Sequence, residues 1–170
     1  NLLLNSWNHI VYCRASTSSN QTSIFVNGTR VANGTDNNNW TVTGPCIIGG
    51  LVVNSYMFPG YMSQVRVVKG TDVYGYSNTT ITVPTAPLTA ITNTSLLLSM
   101  TNAGIIDSVE QNILETVGNA QISTTQSKFG SSSMYFDGST SYASFINNPV
   151  GTLGDFTIEG WFYSATATSS

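Results

Sequence analysis

The sequence predicts an all-β fold, an antiparallel β-sandwich, and three observations carry that prediction. Apolar and aromatic residues come in short runs broken by Gly, Asn, Pro or Ser about every ten residues, the spacing of sandwich strands rather than helices. Only 8% of the 170 residues are charged, whereas 41% are hydrophobic and 11% aromatic. Asn, Ser, Thr and Gly therefore carry the polar load, as in turn-rich β proteins. Finally, Asn27-Gly28 follows a strand-like run, and both residues tolerate the positive φ angles of a tight type I′ hairpin.

The elements follow in order. Trp7–Arg14 (WNHIVYCR) mixes aromatic and β-branched residues and reads as the first strand. Ser23–Val26 is the second and ends at the Asn27-Gly28 turn, and Cys46–Ile48 is a short apolar strand stopped by Gly49-Gly50. Tyr61–Val68 (YMSQVRVV) is another strand. Thr82–Ala90 (TVPTAPLTA) holds three Thr and two Pro, spaced so that no helix runs through them and no central strand holds them, and it reads as an extended connector. Beyond it, Leu96–Met100, Ser133–Phe136, Tyr142–Phe145 and Phe156–Tyr163 (FTIEGWFY) are strands, and one helical turn is expected at Val109–Leu114. Leu2-Leu3-Leu4 is echoed at Leu96-Leu97-Leu98 without matching flanks, which is no repeat.

Composition excludes several functions. The net charge is −3, and the five basic residues, Arg14, Arg30, Arg66, Lys69 and Lys128, are scattered, so no stripe exists to neutralise a phosphate backbone and no nucleic-acid partner is expected. No apolar run approaches the roughly 20 residues of a membrane span. The single histidine, His9, and two cysteines 33 residues apart do not make a zinc motif. Cys13 and Cys46 read either as a disulfide, suited to an extracellular setting, or as small buried hydrophobes. His9 sits in a strand-like run and reads as a packed residue rather than a general base.

Two ordered sets of motifs carry a resemblance. Trp7-Asn8-His9-Ile10-Val11, Ile24-Phe25-Val26-Asn27-Gly28, Cys46-Ile47-Ile48-Gly49-Gly50 and Phe58-Pro59-Gly60-Tyr61 running into Val65-Arg66-Val67-Val68 resemble the second half of a laminin-G-like or concanavalin A-like lectin domain. Leu96–Met100, Ile105-Ile106-Asp107, Lys128-Phe129-Gly130, Met134-Tyr135-Phe136-Asp137-Gly138, Tyr142 and Asp155–Trp161 resemble the first half. The halves stand in inverted order, and the middle strands that the family carries between FTIEGWFY and WNHIV are not seen.

The resemblance implies a jelly-roll sandwich, circularly permuted or cut across two tandem repeats, of the kind found in viral tail and bacterial surface proteins. It divides the chain into residues 1–76 and 95–170 as two half-modules joined by a connector at 77–94. Each half has bare strand edges, so the halves are expected to complete one sandwich, within one chain or between two as a strand-swapped homodimer. Trp7–Arg14 is expected in one sheet with Phe156–Tyr163, and Tyr61–Val68 beside Leu96–Met100 or Ser133–Phe136.

The function implied is recognition: a non-catalytic module, extracellular, at a cell surface or on a virion, that binds a glycan or host-surface polysaccharide. Asn37, Asn38, Asn39 and Trp40 are the candidate contact loop, because a Trp face stacks on a sugar ring while Asn amides offer paired donors and acceptors. Tyr56, in the next long loop, is added to it. The resemblance also leaves Ca2+ at Asp137 as the one cofactor to consider, against an Asx turn in which that side chain bonds its own backbone. Glu159 and Asp155 lack the paired spacing of glycosidase carboxylates, so catalysis is not expected. A structural spacer without ligand is the alternative.

Overall fold

The computed structural model describes residues 2–15, 21–38, 45–50, 56–101, 104–109, 112–146, 149 and 154–166. Among these residues every regular element is a strand: β1 (Trp7–Ala15), β2 (Gln21–Val26), β3 (Thr29–Thr35), β4 (Cys46–Ile48), β5 (Pro59–Lys69), β6 (Thr94–Thr101), β7 (Gly104–Asp107), β8 (Leu114–Val117), β9 (Gln121–Ser123), β10 (Ser133–Asp137), β11 (Tyr142–Phe145) and β12 (Phe156–Tyr163). Where a helical turn was expected at Val109–Leu114, Ser108 and Val109 form a turn and Leu114 already belongs to β8.

Two antiparallel sheets pack face to face. The larger has nine strands along the path β3-β2-β1-β12-β5-β10-β9, with β6 joined to β5 and β7 to β6, and the smaller runs β4-β11-β8. β1 pairs β12 from Trp7↔Tyr163 to Arg14↔Phe156. β5 pairs β12 on one side, and on the other it pairs first β10, at Met62↔Met134, and then β6, at Val65↔Leu98. Strands from both sides of Thr82–Ala90 thus lie in one sheet, hydrogen-bonded to each other.

Residue parity explains the core. From the inner face of the large sheet Met62, Val65, Val67, Leu96, Leu98, Met134, Phe136 and Phe156 meet Ala143 and Phe145 of the small sheet, with Cys46, Ile48 and Leu114 packed against them. Each fully buried Phe or Leu here contributes about 1.5–3 kcal/mol of transfer free energy.

The outer face is covered too. Residues 70–93 cross it as a strap whose Tyr74, Tyr76 and Ile81 close over Val11, Cys13 and Phe25. The hairpin of β2 and β3 supports the strap directly: Asn27 and Gly28 take φ of 50° and 85°, as a type I′ turn requires, and Gly28 O accepts from Ile81 N at 2.8 Å. Covering on both faces is why residues 62–68 of β5 are buried without alternation.

The cysteines are free thiols, not a disulfide. Cys13 belongs to the cluster under the strap, whereas Cys46 packs into the core between the sheets, so the large sheet lies between them. Burial pushes the Cys13 thiol up to about 12 and raises that of Cys46.

Candidate functional site

The strap leaves one end of the outer face uncovered, and there the register gathers aromatic residues. Trp7 stands opposite Tyr163, Tyr163 opposite Tyr61, and Tyr61 opposite Tyr135, so four adjacent strands each contribute one ring to a single row. Directly opposed residues project from the same face. Their neighbours Met62, Met134, Phe136 and Phe162 turn into the core, which sends these four outward. Ring centroids are 5.6 Å apart for Trp7 and Tyr163, 5.9 Å for Tyr163 and Tyr61, and 5.3 Å for Tyr61 and Tyr135. All four are half-buried, anchored by neighbours yet open to solvent.

Backbone geometry makes the row tight. A Cβ on Gly60 would lie 2.1 Å from the carbonyl oxygen of Tyr163, so only glycine lets β5 and β12 approach this closely. Ser164 Oγ donates to Pro59 O at 3.1 Å, and Asn5 N donates to Ser164 O at 2.9 Å, tying the residue after Tyr163 to the chain on either side. Beyond Tyr135 the row meets a cavity of about 470 Å³ in which Gln121, Ser123, Thr124 and Thr125 face Tyr61 and Tyr135. Flat apolar rings beside an uncharged set of amide and hydroxyl groups are suited to a ligand that is apolar on one face and hydroxylated at its edge.

The acidic cluster of the outer face is sealed under the strap, whereas Lys128 Nζ stands 4.0 Å over the ring of Trp161 on the same strand as Tyr163. Glu159, 1% exposed, accepts from Arg66 Nε at 2.8 Å and from Arg66 Nη2 on Oε1, and from His9 Nε2 at 3.1 Å and Tyr74 OH at 2.6 Å on Oε2. Since a carboxylate only accepts, His9 carries its proton on Nε2, and its Nδ1 is buried without a partner. Burial pushes the Glu159 carboxyl up, but hydrogen bonds from His9 and Tyr74 and the charge of Arg66 outweigh it and hold the group below its ordinary value of 4.5. Burial and the neighbouring Glu159 charge raise the Tyr74 hydroxyl. Arg66 also donates from Nη1 to Thr89 O at 2.7 Å, so the cluster joins β1, β5 and β12 to the strap.

The residues expected to bind ligand are not gathered in one place. Asn37 and Asn38 are exposed just after β3, where Asn38 N donates to Asp36 Oδ1 at 2.9 Å and Asn38 O accepts from Arg14 Nη1 at 2.8 Å. Tyr56 is 76% exposed on the segment entering β5. Asn39 and Trp40 lie outside the described residues. Asp137 folds back onto its own turn, accepting on Oδ1 from the backbone N–H of Ser139, Thr140 and Ser141 at 2.9–3.1 Å. Those donors, Thr140 and Ser139 foremost, hold its carboxyl far below the usual range. No group of three or more His, Cys, Asp or Glu side chains that could hold a metal occurs among the described residues.

Residues 1–71 match the family described as the concanavalin A-like lectin/glucanases superfamily, in its laminin-G-type model. No curated protein and no solved structure matches the chain. The matched segment supplies β1 to β5, hence Trp7 and Tyr61 of the row and the Gly60 that supports it, while Tyr135 and Tyr163 come from beyond it. Sequence reading looked for a contiguous loop and so missed a site divided among four strands. The signal that could have found it is parity: three of the four rings, Tyr61, Tyr135 and Tyr163, flank an apolar inward residue.

Proposed function

We propose that this protein is a non-catalytic carbohydrate-binding module that holds a polysaccharide on the outer face of its large sheet, in an extracellular surface or tail protein. The observation that carries the reading is the row of Trp7, Tyr163, Tyr61 and Tyr135, a line of rings with no charge among them that ends at the amide and hydroxyls of the Gln121–Thr125 segment. Sugar rings laid along it would stack their C–H faces on the aromatics and turn their hydroxyls to the polar cavity. The superfamily match of residues 1–71 supports the ligand class. The non-catalytic reading is supported by Glu159, whose two oxygens are committed to Arg66, His9 and Tyr74 under the strap. Circular permutation of the lectin sandwich, with the connector at 77–94 joining the halves, accounts for the inverted order of the motifs.

The test is retention on insoluble cell-wall polysaccharides and on a glycan array, comparing the unaltered protein with Tyr61→Ala/Tyr135→Ala. Loss of two stacking faces should weaken binding about 30- to 150-fold, taking about 1–1.5 kcal/mol for each ring. Unchanged binding by the double variant would move the site elsewhere, and a blank array with the unaltered protein would leave a spacer module.

A further inference from the structure

A second site stands on the same face, three residues further along β5. After Met62 the strand leaves β10, and at Val65 it joins β6, so Ser63 and Gln64 fall in the fork between the two partners. On the other side the register with β12 slips, because Glu159 faces Arg66 while Trp161 faces Ser63. Gln64 is the residue accommodated there, at a φ of 55° that side-chain-bearing residues avoid. It is only 7% exposed, and its Oε1 is buried with no hydrogen-bond partner. A strained backbone that presents an unpaired buried amide is an uncommon combination, and it calls for an explanation.

The fork opens into a cavity of about 270 Å³. Gln64 lines it together with Leu88, Met100 and Phe129, and Pro87 and Ser131 are exposed at its rim. A primary amide set among apolar walls complements one chemical group well: a secondary acetamide. Its N–H can donate to the unpartnered Gln64 Oε1, and its methyl lies against Leu88, Met100 and Phe129. We infer that this pocket reads the N-acetyl group of an amino sugar. The inference rests on the proposal that the protein binds carbohydrate, but it uses none of the row's residues. Ser131 at the rim offers its hydroxyl to the sugar ring.

The experiment is titration of uniformly 15N-labelled protein with N-acetylglucosamine and, separately, with glucose, following the backbone amide signals of Phe129 and Gly130 in the pocket wall. N-acetylglucosamine should shift them at millimolar concentration and glucose should bind about fivefold more weakly or not at all, the value of the hydrogen bond lost. Gln64→Gly should abolish the response without lowering the melting temperature, because glycine relieves the positive φ. Ser131→Trp, which fills the mouth and leaves β5 untouched, should abolish it independently. Equal response to the two sugars, persistence in both variants, or a stronger response to Nε-acetyllysine would overturn the inference. Silence toward N-acetylglucosamine from protein that still holds polysaccharide through Tyr61 and Tyr135 would sink this pocket alone, whereas silence toward every glycan would sink both readings.

Discussion

Glu159 shows how one residue can organise a face of the molecule. Taking a carboxylate out of water is expensive, and here the cost is met by four donor contacts from Arg66, His9 and Tyr74. Glu159→Gln should cost about 3–5 kcal/mol in a urea denaturation series, because Arg66, 6% exposed, keeps its charge without a counter-charge. Arg66→Met/Glu159→Leu should recover most of that loss, since an apolar pair removes both buried charges. The pH dependence has a definite sign. The folded carboxyl lies below its ordinary value of 4.5, so its contribution is fully present above that pH and is lost as pH falls through the lower folded value. Denaturation midpoints should therefore drop on acidification below about 4.5 and hold steady between pH 5 and 7, and a flat profile down to pH 3 would show the cluster to be unimportant. None of these pairings was readable in the sequence. His9 read correctly as a packed residue, but Glu159 drew attention only as a rejected catalytic acid, since its partners lie 93 and 150 residues away.

Strands were the most legible level. The runs at Trp7–Arg14, Tyr61–Val68 and Phe156–Tyr163 fall inside β1, β5 and β12 because aromatic and β-branched residues there fill a half-buried or buried pleat. β3 escaped notice because its sequence, TRVANGT, is exposed along nearly its whole length and carries no alternation. β8 and β9, of four and three residues, are too short to show a period. The aromatic row is invisible at this level for a different reason: each strand holds a single member, and only the register aligns them. Gly60 makes that register testable. Gly60→Ala would push a methyl into the Tyr163 carbonyl and force β5 and β12 apart, so a loss of about 1–3 kcal/mol in stability is expected together with weakened polysaccharide retention. A stable variant with unchanged retention would show that the close approach does not support the site.

Across the whole molecule the strap answers why two incomplete halves make one body. β12 sits between β1 and β5, and β10 and β6 flank β5 on its other side, so with the other half removed the first keeps only β1, β2 and β3 paired, leaving β4 and β5 bare, and the second keeps only the pairs β6-β7, β9-β10 and β8-β11, leaving β12 bare. Residues 84–87, at the middle of the strap, touch none of the backbone pairs that unite the halves. A protease site inserted between the exposed Thr85 and Ala86 should therefore yield a cut protein that still elutes as one particle of unchanged size and separates only in denaturant. Separation under native conditions would show that the connector, rather than the sheet, holds the halves together.

The pairing of β1 with β12 also has a mechanical side. Their register begins with Trp7 opposite Tyr163, and Asn5 and Ser164 are hydrogen-bonded just outside it. Tension applied through those two flanks would enter both strands at the same end and load the rungs one after another, as in opening a zipper, instead of shearing all of them at once. The first rungs to yield are those that carry Trp7 and Tyr163. Stretching would thus dismantle the aromatic row before it reached the core, and the grip on a polysaccharide would weaken under load while the sandwich stayed closed.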